Sequence, residues 1–330
     1  MQGVPYLVAK CDNPAMQALV EQHLETGAYD LIYLGHIGMG AYLARVRSLA
    51  SRARVVLEEH NVEWQIFERL APTFRFALRQ AARWEARALR GYERDVLREV
   101  DAVIAISDAD ADALQKLAGV TATVVPTFIR PAAKRVEGTQ SPALAYTGLL
   151  AWQPNAQGLD WFCAEVWPLV RERMPQATLT IAGPGLRSDA NGSLIVPSNW
   201  SLPGIRTVGY VNDLEEIYGS SVAMVAPIIG GSGVRMKLLE SMRAGMPTVT
   251  TTDGAAGLDV ADGREMSVAD TPDAFAQRVI RLLSDAELRE HFRVAGYAYL
   301  ETHHSLEVAR ARLENALAPG KIASHEMSTK

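Results

Sequence analysis

The chain has 330 residues, 48% hydrophobic and 22% charged, with a formal net charge of −5. That length predicts two domains rather than one core, and the acidic balance excludes non-specific nucleic-acid binding. No apolar run approaches the ~20 residues of a membrane span, and two cysteines, Cys11 and Cys163, exclude a disulfide framework and fit a reducing cytosol.

The opening stretch "MQGVPYLVAKCDNP" lacks a signal-peptide pattern, so a cytoplasmic location is expected. "YDLIYLGH" (29–36) reads as a short buried strand, "GAYLARVRSLASR" as a helix and "ARVVLEEH" (53–60) as the next strand. A helical pattern fills much of 66–98, broken near Pro72. "VDAVIAIS" (100–107) is a strand, "DADADALQKLAG" a helix with an Asp-rich start, and "ATVVPT" (122–127) a strand. Ser107 and Asp108 stand where a helix cap is expected. "IRPAAKRVEGTQSP" (129–142) has no period and reads as a linker. The rhythm then restarts. "ALAYTG", "ATLTIAG", "IRTVGYV", "VAMVAPI" and "MPTVTT" are strands, separated by helical segments, and helices fill much of 271–316. The tail "APGKIASHEMSTK" is expected to be disordered. Alternating strands and helices predict two α/β domains with parallel sheets, whose ligands bind at the carboxyl ends of the strands. The cleft between the domains is then the expected site.

The most informative stretch is "APIIGGSGVRMKLLESMRAGMPTVTT" (226–251). Three glycines, 230, 231 and 233, separate a strand from a helix that carries Arg235, Lys237 and Glu240. On a helical wheel Val234, Leu238, Leu239 and Met242 share the face that packs on the sheet, and Lys237 and Glu240 share the other. A helix start offers free N–H groups and partial positive charge, and glycine lets a phosphate approach them. Glu240 lies roughly 9 Å along the axis from Val234, at 1.5 Å per residue, about the span from a pyrophosphate to its ribose hydroxyls. From spacing alone, two readings stay open: a Gly-rich turn with a solvated Lys–Glu face, or a grip on a nucleoside diphosphate. A P-loop is excluded, because G-x-x-x-x-G-K-[ST] is absent. The "GPG" at 183–185 lacks the third glycine of a dinucleotide fingerprint.

The same stretch resembles the donor-site motif of retaining glycosyltransferases of the GT-B fold, family 4 (group 1). In many members it reads P-x-x-x-G-x-G-x-x-x-K-x-L-E-A-M-A-x-G-x-P-V-V-x-T. Here the matches are Pro227, Gly231, Gly233, Lys237, Leu239, Glu240, Met242, Gly245, Pro247, Val249 and Thr251. "YTGLLAWQPNAQGLDWFCAEVWPLV" and "IRTVGYVNDLEEIYGSSVAMVAP" resemble donor-domain segments, and "VVLEEHNVEW" and "VDAVIAISDADADAL" resemble acceptor-domain segments, so the resemblance spans nearly the whole chain.

The resemblance implies two Rossmann-like domains facing across a cleft. An acceptor-side domain is expected over 1–135, a donor-binding domain over 136–305, and a C-terminal helix and tail over 306–330. It implies that Glu240 binds the donor ribose and that Gly231, Ser232, Gly233, Val234 and Lys237 meet the diphosphate. Gly148, after the first donor-domain strand, and Val211, in the nucleobase segment, complete the implied donor contacts. Many relatives carry a second, sugar-binding carboxylate where Ser232 stands. They often place Arg and Lys after the first donor-domain strand, where "GLLAWQPN" has neither. Arg235 and Lys237 are therefore expected to carry the catalytic positive charge, stabilising the leaving diphosphate.

His36 and His60 end strands and are candidate catalytic residues, each with a strand-end capping role as the alternative. Glu58, Glu59, Asn61 and Glu63 stand near the same strand ends. No metal is expected, since no D-x-D motif ends a strand and "DAD" (108–110) fits a helix start. Arg75, Arg79, Arg83, Arg87, Arg90, Arg94 and Arg98 form a stripe at helical spacing, partly neutralised by Glu85, Glu93, Asp95 and Glu99. It reads as an ion-paired face or as peripheral contact with anionic lipid. Only 28 residues precede Tyr29, with no visible Gly-rich loop or leading strand–helix pair, so the first domain is expected to be shortened at its front. The expected partners are a nucleotide sugar and a hydroxyl acceptor. The expected function is sugar transfer from the first to the second with retention, resembling exopolysaccharide-pathway enzymes. The alternative is a non-catalytic nucleotide-sugar-binding or scaffold partner of an active transferase.

Overall fold

The computed structural model describes residues 3–130, 141–230 and 234–318. The chain forms two units, 1–127 with 307–330, and 128–306. Most of the 129–142 segment, all of the tail but Ala318 and the Gly231–Gly233 part of the glycine loop lie outside the described residues.

The first unit opens with two helices, α1 (Tyr6–Cys11) and α2 (Pro14–Thr26), where the sequence showed no leading strand–helix pair. Asn13 caps α2 by accepting from Ala15 N and Met16 N, and Pro14 pre-sets the first turn. Then follow β1 (Leu31–Leu34), a 3₁₀ turn (Ile37–Tyr42), α3 (Leu43–Leu49), β2 (Arg54–Glu59), α4 (Glu63–Leu70), α5 (Phe76–Glu99), β3 (Ala102–Ala105), α6 (Asp108–Ala118) and β4 (Ala122–Val124). All four strands are parallel in the order β1-β2-β3-β4, as the apolar runs predict. Ser107 caps α6, accepting from Asp110 N (3.1 Å) while its hydroxyl donates to Asp110 Oδ2 (2.6 Å).

The second unit holds β5 (Ala143–Thr147), α7 (Gln153–Trp161), α8 (Trp167–Arg173), β6 (Thr178–Ala182), β7 (Ile205–Gly209), α9 (Leu214–Gly219), β8 (Ala223–Ala226), α10 (Met236–Arg243), β9 (Thr248–Thr250), α11 (Thr252–Ala255), β10 (Ser267–Val268), α12 (Pro272–Ser284) and α13 (Ala286–His304). Its six strands are parallel in the order β10-β9-β8-β5-β6-β7. The helical segment between β5 and β6 is interrupted by a π-turn at Phe162–Val166, just ahead of Pro168, whose missing N–H breaks the regular ladder. One core packs α7, α8 and α12 on one sheet face, around Tyr146, Phe162, Trp167 and Phe275. The other packs α10 and α13 around Met224, Leu238, Leu239 and Met242.

The last helix, α14 (Leu306–Leu317), belongs with the first unit. Its Leu313, Ala316 and Leu317 pack near Val56 and Ile104. Arg54 donates to the carbonyls of Ala316, Leu317 and Ala318, capping the helix end.

Candidate active site

In the second sheet the chain moves from β5 to β6 and β7 on one side, then returns to lay β8 and β9 on the other. The strand order therefore reverses between β5 and β8, which pair through Leu144–Ala223 and Ala145–Met224. Open parallel sheets bind ligands outside the carboxyl ends at such a reversal. Gly148 follows the end of β5, and the glycine loop follows the end of β8.

Lys237 is the second residue of α10. The helical wheel places it on the face it shares with Glu240, and its ammonium is turned inward. Nζ donates to Asn155 Oδ1 (2.7 Å) and Tyr146 Oη (3.2 Å) and stands 4.7 Å from the Tyr146 ring centre. Burial, and then the Arg235 charge, pull its pKa down to about 7. Among the described residues no carboxylate lies within ion-pair distance of it. The space for Nζ exists because residue 148 is glycine: an added Cβ would stand 3.0 Å from Nζ. A second close approach fixes the floor, since a Cβ on Gly183 would fall 1.7 Å from the Gly148 carbonyl oxygen.

The glycine loop is held at both described ends. Gly230, at φ 74°, donates its N–H to Asp253 Oδ2 (2.7 Å), and Arg235 Nη2 donates to the Gly230 carbonyl (3.0 Å). Arg235 and Val234 precede α10 rather than lying within it, and Val234 packs against the same core as Leu238. The roles expected for Gly231, Ser232 and Gly233 lie outside the described residues. Glu240 is half-exposed, and its Oε2 accepts from Arg243 Nε (2.8 Å). Val211 is partly buried just past β7, against the core that holds α10.

Tyr146 and Asn155 did not figure among the expected site residues. The stretch "GLLAWQPN" draws attention for its lack of cations, but its Asn155 supplies an acceptor for a cation from α10. Only the pairing of β5 with β8 brings them together.

The first unit brings His36 and His60 together at the ends of β1 and β2, with ring centres 6.1 Å apart, edge to face. His36 Nδ1 accepts from Gly38 N (2.9 Å), so the neutral ring carries its proton on Nε2 and donates to Glu63 Oε1 (3.2 Å). Both nitrogens are thus engaged, and His36 caps the 3₁₀ turn. His60 is more exposed, with Nε2 3.3 Å from Glu58 Oε2. Behind them, Glu93 of α5 accepts from Glu63 N (2.9 Å) and Trp64 N (3.3 Å), capping α4. Glu59 is fully buried, and burial, reinforced by Glu93, Glu63 and Asp110, raises its pKa well above the ordinary carboxylate value.

The arginine stripe lies along α5, where Arg83, Arg87, Arg90 and Arg98 are exposed. Glu85 and Glu93 do not neutralise it. Both are buried, Glu85 accepting from Tyr6 N (2.9 Å) and Leu7 N (3.0 Å) at the start of α1. Among the described residues no helix is long and apolar enough to cross a membrane, and no group of three or more His, Cys, Asp or Glu is arranged to hold a metal ion.

Two Rossmann-like units with this glycine loop define a class of protein, and the comparisons agree. Residues 3–127 match the family described as "Glycosyl transferase 4-like domain" and residues 141–285 the family "Glycosyl transferases group 1". The chain belongs to these GT-B glycosyltransferases. It is similar to an uncharacterized 44.6 kDa protein in the cps region of Klebsiella pneumoniae, 24% identical over 162 residues, covering 48% of this chain and 42% of that protein. The match therefore spans less than half of that curated relative. Among solved structures, a mutant of S. aureus TarM in complex with fondaparinux, alpha-GlcNAc-glycerol and UDP superimposes with a TM-score of 0.70 at 13% identity, covering 91% of this chain and 58% of that one. Anabaena HepE in complex with UDP and glucose superimposes with a TM-score of 0.67 at 14% identity, covering 93% and 82%. At these identities the likeness shows the fold.

Proposed function

We propose that the chain transfers a sugar from a nucleoside-diphosphate sugar to a hydroxyl acceptor, with retention and without a resident metal. The observation that carries this reading is Lys237, an enclosed cation with no carboxylate partner among the described residues, beside the strand-order reversal of a parallel sheet. In this reading the diphosphate lies against Lys237, Arg235 and the positive end of α10, and Glu240 accepts from the ribose diol. The bond from the sugar anomeric carbon to the diphosphate oxygen breaks, and the acceptor oxygen bonds to that carbon on the same face. The acceptor proton passes to the departing phosphate oxygen, so no strong protein base is required. Fixed positive charge at the leaving group takes the part a metal plays in other transferases. His60, the more exposed of the two histidines, contributes to acceptor or sugar binding, and His36 supports it.

The TarM and HepE complexes hold UDP, which makes UDP a first probe beside GDP and ADP. Calorimetry with the three nucleotides, then NMR of donor hydrolysis and transfer, tests the reading. Turnover unaffected by a chelator and a product with the donor's anomeric configuration are expected. Inversion, or loss of turnover with the chelator, contradicts the corresponding part. Nucleotide binding without turnover over a panel of acceptors supports the non-catalytic binder instead. The exposed arginines of α5, next to exposed Phe76, Leu78 and Trp84, support peripheral contact with anionic lipid. Flotation with vesicles containing anionic lipid is the check, and equal flotation with neutral vesicles contradicts it.

A further inference from the structure

We infer that Asn155 and Tyr146 are positioning residues, which hold the Lys237 ammonium with neutral oxygens and so leave its charge for the donor diphosphate. This rests on the proposed donor site and specifies how that site is kept ready.

A cation removed from water is costly unless paired, and proteins pair nearly all of them with carboxylates. Even partly exposed arginines of this chain pair with carboxylates, as in Arg243–Glu240 (2.8 Å) and Arg278–Asp262 (2.8 Å). At Lys237, among the described residues, the chain makes no such pair. The acceptors at 2.7 and 3.2 Å are an amide oxygen and a phenol oxygen. The amide is fixed by its other end: Asn155 Nδ2 donates to the Leu149 carbonyl (2.9 Å), so Oδ1 faces Nζ. Asn155 sits in the first turn of α7, and its own N–H donates to the Trp152 carbonyl (2.9 Å). Tyr146 is fully buried in β5. The ammonium is thus located by rigid elements, a strand and a helix start, without being neutralised. Fixed charge aimed at a leaving group, with no reorganisation needed on binding, is the efficient form of electrostatic stabilisation.

A carboxylate at position 155 would keep the geometry and cancel the charge, which separates the two roles. The charged or titratable groups near Nζ are Arg235 at the start of α10 and the Tyr146 phenol of β5, with Cys163 behind that phenol. The phenol is pushed up by burial, so it stays protonated. Between pH 7 and 8.5 the part of the change in diphosphate affinity that K237M does not share, since the ligand's terminal phosphate also ionises, then reports on Lys237.

The experiment is calorimetry of UDP, GDP and ADP binding at pH 7 and 8.5, with the full chain as wild type, N155A, N155D, Y146F, K237M and the N155A/K237M double variant. The wild type is expected to bind at least one nucleotide and to lose affinity as pH rises. N155D should bind about 10- to 100-fold more weakly, the scale of a lost charge-assisted contact, and show no such fall with pH. N155A should weaken binding about 10-fold in the wild-type background and less than about 2-fold in K237M, because its effect passes through Lys237. A merely structural asparagine would cost the same in both backgrounds. Y146F, which changes one oxygen, carries the test should either position-155 variant fail to fold, with a loss of about 3-fold or more expected. Equal affinity and pH profile in N155D, or equal cost of N155A with and without Lys237, overturns the inference alone. No nucleotide binding by the wild type overturns the donor-site reading and this inference with it.

Discussion

Lys237 trades stability for charge. Its folded pKa of about 7 lies below the ordinary lysine value of 10.5, so folding is opposed wherever the unfolded chain holds the extra proton. The cost is full below about pH 7 and shrinks as pH rises from about 7 towards 10.5, which makes this residue's contribution to stability rise with pH. Lys237→Met should therefore raise the melting temperature of the empty protein by about 3 °C or more at pH 7, and by less at pH 9.5, while abolishing turnover. A melting temperature that falls at both pH values contradicts this. Gly148→Ala places a methyl group 3.0 Å from Nζ. It should weaken nucleotide binding about 10-fold, within the range of a displaced charged contact, as read by calorimetry. The burial of Lys237 was not legible in the sequence, because a helical wheel sorts residues by face and not by what stands across from them. The motif itself was legible, since glycines, cation and carboxylate occur in a fixed order on one loop and one helix.

At the scale of elements, α5 behaves differently on its two faces. Its arginines face outward, as their spacing predicts, but Glu85 and Glu93 turn inward and cap α1 and α4. The sequence assigned these carboxylates to the arginine stripe, because same-helix spacing is visible and the approach of another helix start is not. Glu93 in turn fixes the α4 start from which Glu63 reaches His36 (3.2 Å). Glu59 lies at the end of β2 in the same cluster, with its folded pKa raised above the ordinary 4.5. A raised carboxyl pKa contributes stability below pH 4.5 that is lost as pH climbs towards the folded value. Glu59→Gln should then stabilise the first unit more at pH 8 than at pH 5, as seen by thermal melts. An equal effect at both pH values contradicts a protonated Glu59. The strands were legible in all but one case, since a parallel strand covered by helices is a short apolar run. The two-residue β10, the short helices α1 and α11 and the π-turn before Pro168 were not, because each is too short to carry a period, and the 13-residue α2 went unread as well.

Over the whole molecule, the chain builds a parallel α/β sheet twice, four strands in chain order and then six with a reversal, and α14 returns to the first unit. That return was not foreseen, because the C-terminal helix reads from sequence as a third segment. Its tie is Arg54, which reaches three successive carbonyls at the helix end. The residues that define the donor reading come from the second unit alone. A saturating nucleotide, at about 100 times its Kd, should stabilise that unit by about 2.7 kcal/mol. Hydrogen exchange should slow at 146–155 and 226–240, and unchanged exchange there on saturation contradicts the placement. The most direct test of the central claim is the calorimetric affinity of UDP, GDP and ADP for the wild type and Lys237→Met at pH 7. The predicted result is binding of at least one nucleotide by the wild type and a loss of about 100-fold in the variant, the cost of removing one member of a buried charge contact. Equal affinity in the two proteins, or no binding by the wild type, would contradict it.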